Sequence, residues 1–81
     1  PFNPSTQIRF SLAKKVNVQL EIFNVLGQRV KTLLNHSMSA GEHEVVWDGR
    51  NEANVRVGSG IYFYRLKAGE FVKTRKMILL K

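Results

Sequence analysis

The sequence predicts an all-β fold in which antiparallel sheets pack face to face as a sandwich. The first sign is alternation of apolar and polar residues, the pattern of strands with one buried face. The second is spacing, because such segments recur at intervals of about 8–12 residues with turn residues between them. No segment sustains the 3.6-residue period of an amphipathic helix, which argues against βαβ units.

The first two strands are the clearest. Apolar side chains alternate with polar ones over residues 7–12 and again over residues 16–22. Chain reversals are expected between and after them, at residues 13–15 and 24–27, where Gly27 can adopt the positive φ of a tight turn. Both strands should therefore lie against the same core.

The middle of the chain predicts two more strands and a long loop. Residues 28–34 and 42–47 keep the strand pattern, with a polar stretch between them. Residues 48–60 hold three glycines and two asparagines but only two large apolar residues, Val55 and Val57. This segment is predicted to be a loop, with room for one very short strand.

The last two strands are rich in aromatic and β-branched residues. They cover residues 61–67 and 71–81, and the short connection at residues 68–70 predicts a hairpin. Six strands are clear and a seventh is allowed. We therefore expect an antiparallel Ig-like β-sandwich of about seven strands, in one domain over residues 1–81.

Composition limits the classes of function. The 81 residues include no cysteine, which leaves out thiol catalysis, cysteine-ligated zinc and disulfide frameworks. No apolar run approaches the ~18 residues of a membrane span. The net charge of +7 favours anionic partners such as an acidic protein or lipopolysaccharide. Since the chain begins at Pro1, inside a motif, we expect it to be cut from a longer precursor.

No set of residues predicts catalysis, a metal or a cofactor. His36 and His43 are far apart in sequence, and Glu42 and Glu44 alternate with His43, so they should point to the opposite strand face. Residues 48–52 carry oxygen ligands without the spacing of a calcium loop, and a turn capped by an aspartate explains them. A nucleophile elbow is also missing. We expect a protein that is not an enzyme.

The opening of the chain is the most specific motif. Pro1, Phe2, Asn3 and Pro4, followed by Ser5, resemble the Asn-Pro-Phe-Asn-Pro-Ser/Thr opening of type A C-terminal sorting domains of the type IX secretion system, without the leading Asn. A proline-containing lead into an edge strand is the structural reading of the same residues.

Four further blocks resemble the same family, in the same order, so the resemblance covers essentially the whole chain. They are residues 22–30, 40–49, 59–64 and 74–81. One departure is Asn54, where related sequences often carry Gly, and Asn tolerates the left-handed conformation. The residues that we assign to the structural motif are Pro1, Phe2, Asn3, Pro4, Gly27, Trp47, Asp48, Gly49, Gly60 and Tyr62.

The resemblance implies a function in export. Such a domain directs a passenger protein through the periplasm and across the outer membrane to the cell surface, is recognised by proteins of the secretion machinery, and is commonly removed by a sortase-like protease. The Ig-like domain of the flagellar hook-capping protein shares the Trp-Asp-Gly and Gly-x-Tyr features. The proline-containing opening and the basic last strand favour the sorting domain.

Basic residues concentrate on the last two strands, where Arg65, Lys67 and Lys73 precede the candidate partner-binding segment. This positive patch is either a docking surface for an anionic partner or a solvated face. The candidate partner-binding residues, for the translocon or for self-assembly, are Arg75, Lys76, Met77, Ile78, Leu79, Leu80 and Lys81. Nucleic acid is not expected, because the alternation buries most aromatic side chains.

The end of the last strand is apolar at successive positions from Met77 to Leu80. A single sheet face cannot bury both sets of alternate side chains, so something should cover the other side. Either the strand is buried on both faces, or it offers an edge or apolar patch to the translocon or to another copy. The second option leaves open a structural subunit that assembles into a surface array or filament.

Trp47 and the aromatic strand at residues 61–64 are expected to serve the core. A lone Trp that ends an alternating strand is usually core in a sandwich, although a ligand-stacking surface is the alternative. Tyr62 and Tyr64 should share one face, with Ile61 and Phe63 on the other. Aromatic residues on both faces are typical of a central strand.

Overall fold

The computed structural model of the chain describes residues 5–80 and contains six strands over that range. All pairings between them are antiparallel. In chain order the strands are β1 (Thr6–Leu12), β2 (Val16–Asn24), β3 (Arg29–Met38), β4 (Gly41–Trp47), β5 (Gly60–Ala68) and β6 (Phe71–Leu79). The predicted all-β class and antiparallel sandwich are confirmed.

The strands divide unequally between two sheets. One sheet has four strands in the order β3-β2-β5-β6, and the other consists of β1 and β4 alone. Two connections close hairpins within the larger sheet, β2 to β3 and β5 to β6. The other three connections carry the chain from one sheet to the other, so that the core is enclosed by strands distant in sequence.

The core lies between the two sheets and follows the predicted alternation. On β2, Val18, Leu20 and Ile22 are fully buried, while β1 contributes Ile8 and Leu12. The remaining buried apolar residues come from the other strands and are Trp47, Tyr62, Leu66 and Leu79. As predicted, β5 is a central strand, with β2 on one side and β6 on the other.

Two turns share one hydrogen-bonding arrangement built on an asparagine. In the β2–β3 turn the Asn24 side-chain oxygen accepts bonds from the backbone N–H groups of Leu26 at 2.9 Å and Gln28 at 3.0 Å. Gly27 has a φ of 79°, and its N–H donates to the Asn24 carbonyl at 3.0 Å. Glycine reaches this conformation without steric cost.

The second such turn begins at Asn51, in the loop after β4. Its side-chain oxygen accepts bonds from the N–H groups of Ala53 and Val55, both at 3.0 Å. Asn54 takes the place of the glycine, with a φ of 63°. Asn54 therefore adopts the left-handed conformation that was predicted to be tolerable there.

The allowed seventh strand is reduced to one isolated bridge between Arg50 and Arg56. The chain between them is occupied by the Asn51 turn, which takes up the backbone groups that a strand would pair. The loop also attaches to β3. The Glu52 N–H donates to the Val30 carbonyl at 3.1 Å, and the Thr32 N–H donates to Glu52 Oε1 at 2.6 Å.

Candidate functional site

The candidate site is the terminal hairpin, which consists of β5 and β6. The four-stranded sheet ends in β3 on one side and in β6 on the other. Glu52 and its loop bond to β3, whereas β6 has no strand partner beyond β5 among residues 5–80. An unpaired edge offers backbone donors and acceptors to another chain. Within the described part of the chain, β6 is thus the more open edge of this sheet.

Alternate residues of β6 reach very different environments. Leu79 is 1% exposed and packs in the core, and Met77 is half-buried on the same face. Ile78 is 58% exposed and Leu80 is 73% exposed. The alternative in which this segment is buried on both faces is therefore wrong, because β6 is an edge strand and nothing among residues 5–80 covers its outer face.

The cations of the hairpin do not form one patch. In the β5–β6 register Arg75 lies opposite Tyr64 and Lys73 opposite Leu66, on the face that continues into the core. Lys76 lies opposite Phe63, on the outer face. The expected single positive patch is corrected to two charged surfaces, because neighbouring residues on a strand point to opposite sides.

Some predicted site residues fall outside this geometry. Lys81 at the end of the chain and the opening motif Pro1, Phe2, Asn3 and Pro4 lie outside the described residues. Their assigned roles stay predictions.

The outer face of the four-stranded sheet contains a buried carboxylate that sequence analysis missed. Glu21 on β2 is 5% exposed and accepts hydrogen bonds from Arg65 at 2.9 Å and Arg29 at 3.4 Å. The Arg65 guanidinium also stacks over the Phe23 ring, 4.8 Å from its centroid. The only sequence signal was the single acid between the apolar residues Leu20 and Ile22.

The arginines determine how Glu21 ionises. The hydrogen bond from Arg65, helped by that from Arg29, holds the pKa of Glu21 below its ordinary value, against the opposing effect of burial. Glu21 is thus a carboxylate that cross-links β2, β3 and β5 on the outer face.

We expect Glu21→Gln to lower the free energy of unfolding by about 1–2 kcal/mol at neutral pH, since hydrogen bonds to a charged group are lost. A lowered folded-state pKa gives stability that is fully present above the ordinary glutamate pKa of about 4.3 and is lost as the pH falls through the folded-state value. Urea unfolding at a series of pH values should show this acid loss in the parent and less of it in Glu21→Gln.

The control is Glu44→Gln, which removes the exposed ion pair between Glu44 and Arg9 at 2.8 Å. Such pairs contribute about 0–1 kcal/mol. Equal effects of the two substitutions would contradict a special role for Glu21.

A second cluster joins the long loop to the core. Trp47 is fully buried, its Nε1–H donates to the Arg50 carbonyl at 3.0 Å, and its ring meets Tyr62 edge-on with centroids 5.1 Å apart. The Tyr62 hydroxyl donates to the Gly58 carbonyl at 2.7 Å. Two core aromatics therefore bond to both ends of the loop.

The neighbouring motif residues shape that loop. Asp48 accepts a hydrogen bond from the Arg50 N–H at 3.2 Å, as the capped-turn interpretation requires. Gly49 is buried with a φ of 76°, and Gly60 starts β5 with a φ of 147°. These three residues therefore determine the local backbone conformation of the loop and of the start of β5.

The two histidines do not come together. His36 Nδ1 lies 3.0 Å from the Ser37 carbonyl oxygen, and His43 Nε2 lies 2.8 Å from that of Ser39. The His43 ring stacks on Phe10 with centroids 5.4 Å apart. Residues 5–80 contain no cluster of three or more metal-ligating side chains. Over the same range no helix is long and apolar enough to cross a bilayer.

The two packed antiparallel sheets, and the long loop held by Trp47 and Tyr62, define this protein as an Ig-like β-sandwich domain. The family profile of the FlgD Ig-like domain matches residues 3–74. The chain belongs to the FlgD Ig-like domain family. That family is the one described above as sharing the Trp-Asp-Gly and Gly-x-Tyr features, and the finer assignment to sorting domains stays a prediction.

Three solved structures have similar folds. FlgD from P. aeruginosa is 18% identical with a TM-score of 0.72, over 93% of this chain and 59% of that one. FlgD from Xanthomonas campestris, whose structure is described as giving insights into the hook capping essential for flagellar assembly, is 23% identical with a TM-score of 0.72, over 95% and 56%. Dimeric latent PorU from Porphyromonas gingivalis is 24% identical with a TM-score of 0.73, over 96% and 8%.

These identities show the fold alone. The chain spans little more than half the length of the FlgD structures and a small part of PorU. A search of curated proteins gave no match.

Proposed function

We propose that this chain is a non-catalytic secretion domain that directs a passenger protein across the outer membrane to the cell surface by type IX secretion. The observation that carries the proposal is the terminal hairpin, whose last strand is an open sheet edge. Its cations Lys73, Arg75 and Lys76 are all exposed. The partner is an acidic surface of the outer-membrane secretion machinery. Lipopolysaccharide is a second anionic surface that the basic hairpin could bind.

The fold does not select this role by itself, because it occurs both in hook-capping FlgD and in PorU. The choice rests on residues. The blocks that resemble sorting domains fall on the Asn24 turn, on the Trp47 and Tyr62 cluster and on β6, which are the structural anchors of the domain and its open edge. An address that must be read after folding needs a stable scaffold and an accessible edge, and this arrangement supplies both.

The test is a reporter that carries an inner-membrane export signal, with this chain fused to its C-terminus, expressed in a type IX-competent bacterium. We expect the reporter at the cell surface, detected by protease shaving and antibody labelling of intact cells. A strain without the secretion system should retain it in the periplasm. Retention of a well-folded fusion in the competent strain would refute the proposal.

Charge reversal locates the recognised surface. Arg75→Glu with Lys76→Glu should abolish surface display while the fusion remains folded, because both side chains are exposed. The matched control, Lys15→Glu with Arg56→Glu, makes the same change in net charge at exposed residues outside the hairpin. If both variants are displayed equally well, the hairpin charges serve only solubility.

A structural subunit that self-assembles is the second candidate. It is favoured by the exposed apolar residues Val72, Ile78 and Leu80 along the same open edge. Light scattering and negative-stain microscopy of the purified chain distinguish a self-assembling subunit from a monomeric export domain. Filaments or large oligomers that revert to monomers with Ile78→Lys would support assembly, and a monomeric parent would exclude it.

A further inference from the structure

The two-stranded sheet leaves part of the larger sheet uncovered. The inner face of β6 changes from buried to exposed along its length. Leu79 is buried and Met77 is half-buried, whereas Arg75, Lys73 and Phe71 are exposed. All five share one face by the alternation of the strand. The smaller sheet therefore covers only the C-terminal half of β6, and the inner face of the other half is open.

The open region is a groove that runs along β1, and we refer to it as the β1 groove. One wall is formed by residues 9–14, and the floor by Tyr64, Leu66 and Phe71. Its two stretches, of about 380 and 510 Å³, share Ser11, Leu66 and Phe71 and are therefore continuous.

The groove lies on the side of β1 away from β4, which contributes no lining residue. Among residues 5–80, β4 is the only strand paired with β1. Backbone donors and acceptors on the groove side of β1 are thus open to pairing with an added strand. Residues 9–12 of this wall belong to β1, and these four strand residues give a length of about 13 Å.

The charge of the groove is positive. Its lining includes Arg9, Lys14, Lys73 and Arg75, against the single acid Glu70. Arg9 is already paired with Glu44. Lys73 and Arg75 have no carboxylate within 4.0 Å among residues 5–80. Two cations beside an apolar floor therefore lack a counter-charge.

We propose that the β1 groove binds an extended segment of a partner protein that carries apolar and acidic side chains and adds to the open edge of β1 as a third strand. Its backbone pairs with β1, its apolar side chains cover Tyr64 and Phe71, and its carboxylates meet Lys73 and Arg75. Main-chain pairing gives affinity in this mode of recognition, and side-chain pockets give specificity.

An acidic partner is favoured over a second copy of this chain. The net charge of +7 makes copies repel one another, and the groove is itself basic. The inference goes beyond the proposed export role. It is measured on the purified chain, so that failure of either proposal leaves the other standing.

The experiment uses the purified chain and a peptide of about eight residues, long enough to span the groove, in which every second residue is a threonine and the positions between them alternate valine and glutamate, so that both face the groove. Binding is measured by fluorescence polarisation, and NMR hydrogen exchange follows the β1 amides. We expect saturable binding that weakens with salt and slows exchange on β1. The same peptide with lysine in place of glutamate should not bind, and a proline in place of one central threonine should weaken binding because a donor is lost.

Two double variants test the site. Lys73→Glu with Arg75→Glu should weaken peptide binding at least about tenfold, equivalent to about 1.4 kcal/mol. Arg56→Glu with Lys67→Glu makes the same change in net charge at exposed residues that do not line the groove, and should weaken it much less.

Three results would overturn the proposal. Equal weakening by both double variants would indicate attraction by net charge alone. Equal binding of the proline peptide would exclude strand addition. A chain that does not bind the peptide and already protects its β1 amides, as a monomer or an oligomer, would show that its own segment or a second copy fills the groove. The peptide comparisons on the parent chain hold even if a variant fails to fold.

Discussion

Trp47→Ala is expected to lower the free energy of unfolding by about 3–5 kcal/mol, the usual cost of removing a buried aromatic side chain. The indole is fully buried, and its loss would leave a cavity against Tyr62 and remove the donor to the Arg50 carbonyl. Domains of this size have about 5–15 kcal/mol in total, so a large part of the stability is at risk. The melting temperature should fall by about 12 °C or more.

Trp47→Phe separates the two contributions of the indole. The phenyl ring still packs against Tyr62 but cannot donate to Arg50, so a smaller loss is expected. Thermal and urea unfolding of both variants provide the comparison. An unchanged melting temperature for Trp47→Ala would contradict burial of the indole. It would instead support the alternative in which Trp47 is a surface residue that stacks on a ligand.

Leu79→Ala should cost about 2–5 kcal/mol, whereas Ile78→Ala should change stability by no more than about 0.5 kcal/mol. The two residues are adjacent and similar in volume, but Leu79 is 1% exposed and Ile78 is 58% exposed. The large difference follows from strand alternation, since one side chain fills the core and the other faces outward. Urea unfolding of the two variants measures it directly.

Surface display of the same pair bears on the proposed function. If the secretion machinery recognises the outer face of β6, Ile78→Ala should reduce export of the reporter without loss of stability. Equal destabilisation by the two substitutions would instead mean that a neighbour or another part of the protein buries the outer face of β6.

Much of the fold is determined by local sequence. Alternation identified the core residues of β1 and β2, because one buried face imposes a period of two. The turn at Gly27 and the left-handed Asn54 follow from residue chemistry, since few side chains tolerate a positive φ. Trp47 and Tyr62 were expected in the core because large aromatics gain most from burial.

Tertiary structure decided what the alternation left ambiguous. Local sequence does not report which strands become edges, so Met77 to Leu80 could be read as buried on both faces or as an edge. Alternation alone places Arg75 and Lys76 on opposite faces of the strand, but it could not show that the face of Arg75 is only half covered by the other sheet. Glu21 is tolerated in its buried position because Arg29 of the adjoining strand and Arg65, 44 residues away, meet it across three strands. The sequence by itself therefore determined the strands, the turns and most of the core, since these depend on neighbours along the chain. The open edges, the β1 groove and the buried ion pair depend on which strands meet, and only the tertiary structure decides that.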